Sequence, residues 1–232
     1  MRDAPDPDRK AEMAELLADI EREARYVGGA SQAAADPKVL AALRAVPRHA
    51  FVPNELSEQA YGNYPLSIGH GQTISQPFIV ALMSGLLNLP KDATVLEIGT
   101  GSGYQGAVLA HLARRVYSIE IIPHLARLAE QHFAALGIAN VEVRCGDGYQ
   151  GWPEHAPYDG IIVTAAAPHI PEPLIEQLKP GARLVIPVGL RYMPQNLLVV
   201  KKAADGSVSG DNVLPVAFVP LTGNLVASHN GP

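Results

Sequence analysis

With 232 residues, 47% of them apolar, and a formal net charge of −5, the chain is long enough for one sizeable α/β domain and has the make-up of a water-soluble globular protein. The acidic balance argues against nucleic acid as a partner, because a phosphate backbone needs a basic face. The lone Cys145 excludes an internal disulfide framework, and with no His/Cys/Asp cluster at ligand spacing no metal is expected.

Residues Met1 to Lys10 are polar and hold two prolines, without the apolar core of a secretion signal. No window approaches the roughly 20 apolar residues of a membrane span. A cytoplasmic protein, with no membrane partner, is the expectation. From Arg9 to Tyr26, Met13, Leu16, Leu17 and Ile20 form a helical apolar stripe that Gly28-Gly29 ends. Asp36-Pro37, a cap followed by a first-turn proline, opens a second helix that runs to about Val46. Residues 47 to 71 read as loop, and a third helix follows from about Gln76 to Leu89.

From Thr94 onward strands alternate with helices. The pattern predicts strands near 94–98, 115–119, 141–145, 159–164, 182–188, 196–202 and 213–219, and helices near 102–113, 123–136 and 171–178. Regular alternation of this kind implies a mostly parallel, Rossmann-like α/β sheet with helices on both faces, here with an N-terminal helical extension. Residues 1–75 are expected to pack as helices and a substrate loop on a core of 76–232, the whole forming one structural unit. In such sheets a ligand lies outside the carboxyl ends of the strands. Cys145 follows an alternating strand pattern and reads as a buried thiol.

Glu97, Glu120, Asp147 and Thr164 all fall at predicted strand ends. The run Val95-Leu96-Glu97-Ile98-Gly99-Thr100-Gly101-Ser102-Gly103-Tyr104 joins an apolar strand, a carboxylate and a glycine turn that lets backbone approach a ligand closely. Gly101 to Gly106 also fits G-x-G-x-x-G, the dinucleotide fingerprint, so the glycines alone leave two cofactors open. Glu97 suits a cationic, amine-bearing ligand such as S-adenosylmethionine better than a phosphate. Glu120, about 20 residues past the first glycine, suits ribose hydroxyls. Asp147-Gly148 suits an adenine amine, although Asp-Gly is also an ordinary turn pair. Upstream, Gly69-His70-Gly71-Gln72-Thr73-Ile74-Ser75-Gln76-Pro77 is a loop entering a helix. Ser75 there is readable as a helix cap or as part of an anion-receptive turn.

Gly71-Gln72-Thr73-Ile74-Ser75-Gln76-Pro77, the Leu96 to Tyr104 run and Gly146-Asp147-Gly148 resemble the protein-L-isoaspartate O-methyltransferase family. Ala156 to Ala166, Leu178-Lys179-Pro180-Gly181, Pro187-Val188-Gly189 and Phe218-Val219-Pro220-Leu221-Thr222 follow in the family's order. The resemblance implies a class I methyltransferase sheet and S-adenosyl-L-methionine as cofactor. It also implies methylation of the free α-carboxylate of isoaspartyl residues in damaged proteins and peptides, which starts repair through a succinimide. By resemblance Ser75 is the catalytic candidate, orienting that carboxylate. Ile74, Ser75, Glu97, Gly99, Thr100, Gly101, Gly103, Glu120, Asp147, Gly148 and Thr222 are cofactor candidates. Thr73, Ser75, Val188, Gly189 and Leu221 are substrate candidates, with Val188 and Gly189 pairing with the peptide backbone. Two other functions fit the bare cofactor motif: an NAD-dependent oxidoreductase, and a binding protein that keeps the S-adenosylmethionine pocket without turnover.

Overall fold

A computed structural model describes residues 7–190 and 193–223. The expectation of a frayed tail at 228–232 lies outside these residues, as do Arg191 and Tyr192 of the unmatched segment 191–194.

Helix α1 (Pro7–Val27) buries Leu16, Leu17 and Ile20, the stripe expected from their spacing. It ends where Gly28 adopts a φ of 72° and donates to the Ala24 carbonyl. Helix α2 (Pro37–Ala45) opens on Asp36, whose side chain accepts from Lys38 N at 2.8 Å.

The next stretch is more ordered than a loop. It contains two 3-10 turns and a hairpin of β1 (Leu66–Gly69) and β2 (Gln72–Ile74). His70 and Gly71 at the tip have φ of 54° and 69°, the left-handed pair that closes a two-residue hairpin. With only four and three residues, these strands are too short for an alternating pattern to announce them.

Helix α3 (Pro77–Leu86) is shorter than expected, because Asn88 turns left-handed before Pro90. The alternating half then runs β3 (Thr94–Ile98), α4 (Tyr104–Ala110), β4 (Arg115–Glu120), α5 (Pro123–Leu136), β5 (Val141–Cys145), β6 (Tyr158–Val163), α6 (Glu172–Glu176), β7 (Leu178–Val188), β8 (Gln195–Lys202) and β9 (Val208–Val216).

The sheet order is β5-β4-β3-β6-β7-β8-β9. Pairings from β5 through β7 are parallel, and those of β7 with β8 and β8 with β9 are antiparallel. A tight connection around Asp205 and Gly206 turns β8 back into β9, which leaves no room for the crossover a parallel pair would need.

Alternation along each strand sends neighbouring side chains to opposite faces. Val95, Val116 and Val185 meet α1 to α5, including Leu16, Phe78, Leu109 and Phe133. Leu96, Ile161 and Leu184 meet Tyr149, Trp152, Tyr158 and Leu174 of α6. Each fully buried side chain of this size contributes about 1.5–3 kcal/mol. The N-terminal helices share the first of these clusters with the sheet.

Strand β3 is flanked by β4 on one side and β6 on the other, so the direction of winding reverses at its carboxyl end. Cys145 lies on the edge strand β5, and its thiol is exposed rather than buried. An outer strand lacks a neighbour to cover it.

Candidate active site

At the carboxyl end of β3 the chain makes its glycine turn. Gly99 has a φ of 96°, and its N–H donates to the Ile119 carbonyl at 2.8 Å, holding the turn against β4. A Cβ on Gly99 would stand 2.4 Å from Thr164 Oγ1. That hydroxyl, just past β6, donates to the carbonyls of Gly99 at 2.6 Å and Ile98 at 3.1 Å. Gly103, with a φ of 95°, caps α4, and a Cβ there would press on Phe133 and Ala129. It lines none of the cavities described below; its position is the turn itself.

A narrow crevice of about 60 Å³ opens beside this turn, lined by Gly99, Gly101, Glu120, Gly148, Leu221 and Thr222 among others. Glu120 is 5% exposed, and its two oxygens accept from Gly101 N at 2.8 Å and Ile122 N at 2.9 Å. A carboxylate offers about four acceptor positions, so the group can still take two further hydrogen bonds. Asp147 accepts from Tyr149 N at 2.9 Å, capping a 3-10 turn, and Gly223 packs against its carboxylate. Gly148 lines the crevice, and a Cβ there would strike Ile98 at 2.3 Å.

Glu97 does not reach this crevice. Its side chain points from β3 to the helical face and is 0% exposed beneath α4, where a Cβ on Gly106 would be 2.8 Å from its carboxylate. Ser118 Oγ donates to Glu97 Oε2 at 2.5 Å and lies 2.6 Å from Thr100 Oγ1, while Oε1 has no partner among the described residues. Burial lifts its pKa to about 8, with the Ser118 hydrogen bond opposing that and the Glu120 charge adding to it. Glu97, expected among the cofactor residues, is thus placed on the α4 face of β3, behind the glycine turn, and does not line the crevice. Thr100 is likewise buried, yet it lines a second recess of about 40 Å³.

That recess is shared by Thr73, Ile74, Ser75, Gly99, Gly101 and Thr164. On its far side lies a groove of about 660 Å³ walled by α3, the end of α1 and residues 214–219. Ser75 lines both recess and groove; Thr73 and Thr164 line these and the crevice as well. Ser75 does not cap α3. Gln76 occupies the cap position without a side-chain hydrogen bond, and the Ser75 hydroxyl has no hydrogen-bond partner among the described residues.

The Ser75 carbonyl is fastened instead, by Arg48 Nη2 at 2.8 Å. Arg48 is fully buried, stacks over Tyr104 at 4.8 Å and also donates to the Ala60 carbonyl. Desolvation lowers its pKa, opposed by the Tyr104 and Tyr61 hydroxyls.

Val188 and Gly189 are not brought to the groove. Gly189 N donates to the Ala167 carbonyl at 2.9 Å, Val188 pairs with Asn196 across β8, and neither lines any of these three cavities. Val188 is thus paired on both sides, with Asn196 of β8 and with Ala167, and the Gly189 N–H is taken by Ala167.

A model of the protein-L-isoaspartate(D-aspartate) O-methyltransferase family matches residues 17–226. The chain belongs to this family. It is 58% identical over 211 residues to protein-L-isoaspartate O-methyltransferase 2 of Polaromonas sp. (strain JS666), covering 91% of this chain and 99% of that one. It is 53% identical over 221 residues to the protein of the same name from Syntrophobacter fumaroxidans, covering 95% and 90%.

A solved protein-L-isoaspartate O-methyltransferase superimposes with a TM-score of 0.79 at 31% identity, over 92% of this chain and 67% of that one. Another solved structure, described as a beta-aspartate methyltransferase (PCMT) from Plasmodium falciparum in complex with S-adenosyl-L-homocysteine, gives a TM-score of 0.75 at 26% identity. It covers 90% of this chain and 97% of that one.

For a protein-L-isoaspartate methyltransferase, sequence reasoning left several site residues without a role. Thr164 was marked only as a strand-end residue, yet it joins all three cavities. Ile121 and Ile122 line the crevice without any motif of their own, and Gln72, part of the Gly71-to-Pro77 string, lines it too. Phe218 and Val219, part of the Phe218-to-Thr222 string, line the groove. Phe218 is held through Gln195, whose side-chain amide accepts from Phe218 N at 2.6 Å and donates to Phe218 O at 3.1 Å. Among the described residues no group of three or more His, Cys, Asp or Glu is arranged to hold a metal ion.

Proposed function

We propose that the chain is an S-adenosyl-L-methionine-dependent methyltransferase acting on the free α-carboxylate of isoaspartyl residues in proteins and peptides. The observation that carries this reading is the Ser75 hydroxyl, unpartnered among the described residues, at the joint between groove and recess. The crevice suits the cofactor: the glycine turn keeps Cβ atoms away, and Glu120 retains acceptor capacity for ribose hydroxyls. Gly99, Gly101, Glu120, Gly148 and Thr222 would hold it directly, with Ile74, Thr100 and Asp147 supporting. Glu97 would act from behind the turn through Ser118 and Thr100, and Gly103 through backbone conformation.

When bound, S-adenosyl-L-methionine supplies a methyl group on a positively charged sulfur. A substrate carboxylate is already ionised at neutral pH, so no side chain has to remove a proton. The groove presents that carboxylate, and Ser75 and Thr73 donate hydroxyl hydrogen bonds that fix one oxygen in line. One oxygen–carbon bond forms as one carbon–sulfur bond breaks, and opposite charges are lost together. Orientation does most of the work, since well-aligned partners reach effective concentrations on the order of 10⁵ M or more. The methyl ester then closes to a succinimide without the enzyme's help, and hydrolysis returns part of the product to aspartate.

In this reading residues 1–75 and 76–232 act as one unit, because the end of α1, Thr73 and Ser75 line the groove together with α3 and residues 214–219. The reaction belongs in the cytoplasm and involves neither nucleic acid nor membrane; among the described residues no helix is long and apolar enough to cross one. The deciding assay gives purified protein a labelled methyl donor and peptide pairs that differ only in aspartyl versus isoaspartyl linkage. Base-labile label on the isoaspartyl member alone is expected. Label on neither, despite cofactor binding, would leave a non-catalytic binder.

A further inference from the structure

The groove beside Ser75 has one charged side chain among its described lining residues, Glu23 near the end of α1. Its carboxylate accepts from Asn63 Nδ2 at 2.7 Å and from Gln76 Nε2 at 3.3 and 3.4 Å. Asn63 is itself fixed, accepting from Phe78 N at 3.0 Å. Every one of these donors is neutral. The cations on the same helix face other partners, Arg22 with Asp19 and Arg25 with Glu21, and among the described residues none pairs with Glu23. The carboxylate is therefore held in place without being neutralised. Gln76 directly follows Ser75 in the chain, so this charge is anchored next to the hydroxyl assigned to the isoaspartyl carboxylate.

We propose that Glu23 forms a selectivity subsite for a basic residue flanking the isoaspartyl link in the substrate. The inference rests on the function proposed above and names the substrates that function favours. A peptide whose carboxylate reaches Ser75 must run out along the groove, past the end of α1. A lysine or arginine there lays its methylene stem against Val27 and Ile79, which line the same wall, and brings its charged head to Glu23. An acidic neighbour meets a like charge that pairs with no cation among the described residues and is disfavoured.

The test uses isoaspartyl peptides that are identical except for Lys or Glu at the flanking positions. Wild-type protein should show kcat/KM about two- to fivefold higher for the Lys peptide at low ionic strength, the size expected of a partly exposed ion pair. The ratio should shrink as salt rises, a readout that needs no variant. It should fall toward one in Glu23→Gln and invert in Glu23→Lys. Because both peptides meet the same protein, a folding defect cancels from the ratio. An identical ratio in all three proteins, or one insensitive to salt, overturns the subsite alone. Failure of the wild type to methylate any isoaspartyl peptide overturns the parent reading and the subsite with it.

Discussion

At the scale of single residues, two side chains carry opposite kinds of information. The Ser75 hydroxyl is half-buried, bonded to nothing among the described residues, and serves no cap, so structural duty does not explain it. Ser75→Ala is expected to lower kcat by about 10- to 100-fold, the loss of one hydrogen bond to a charged group. S-adenosyl-L-homocysteine affinity should stay within about twofold, as read by calorimetry. Equal losses in both would move Ser75 to cofactor binding or folding.

Glu97 is the reverse case, a carboxyl sealed inside the fold with its pKa lifted from 4.5 to about 8 by burial. Below pH 4.5 it is neutral in both folded and unfolded chains, and its contribution to stability is complete. Between 4.5 and about 8 only the unfolded chain ionises, so stability falls as pH rises, by at most about 1.4 kcal/mol per pH unit. Glu97→Gln removes this slope. Melting curves between pH 5 and 8 should therefore converge or cross, with wild type losing ground as pH rises; parallel curves would show that Glu97 is not neutral when folded.

At the scale of elements, the groove depends on a segment with few ladder bonds of its own. After β9 the chain leaves the antiparallel edge and crosses back to bridge Ala166 at Pro220. In between, Gln195 satisfies both backbone groups of Phe218, standing in for a missing strand. Gln195→Ala leaves that peptide unit without its partners and frees the wall of the groove. KM for an isoaspartyl peptide is expected to rise severalfold while cofactor affinity holds, and Gln195→Glu, which keeps only the acceptor, should fall between. A matching loss of cofactor affinity would instead tie residue 218 to the crevice.

The hairpin β1–β2 works similarly. It puts Thr73 at the junction of all three cavities, and buried Arg48 pins the carbonyl of the serine that follows it.

At the scale of the molecule, the sheet brings distant stretches to one edge. Glu120, Gly148, Thr164 and Leu221 are far apart in sequence and share one region at the carboxyl ends of β4, β5 and β6. Ligand binding there should stabilise the whole fold. At 100 times its dissociation constant, S-adenosyl-L-homocysteine adds about 2.7 kcal/mol, or roughly 5 to 10 °C in melting temperature for a chain of this length. NADH should add nothing. A shift with NADH and none with S-adenosyl-L-homocysteine would revive the dinucleotide reading that the glycine spacing left open.

Periodicity and motif spacing in the chain determined much of this protein unaided. The strands from Thr94 onward, the glycine turn, the acids at strand ends and the family resemblance are all local signals, set by side-chain alternation and by glycine's freedom at positive φ. The hairpin at Leu66–Ile74, the antiparallel return of β8 and β9, and the wall made by α1 depended on contacts between segments far apart, which no local pattern encodes. Only the tertiary structure decided which motif residues line the crevice. Glu97 and Glu120 look alike in sequence, both acids closing a strand. Both lie on the same face of the sheet, since Glu97 pairs with Ser118 and Glu120 is two residues further along β4; α4 covers the first, while the second sits past the last β3–β4 pair, Ile98 with Ile119, and borders the crevice. Val188 and Gly189 are likewise placed by tertiary contacts, the first against Asn196 of β8 and the second against the Ala167 carbonyl, and neither lines the groove.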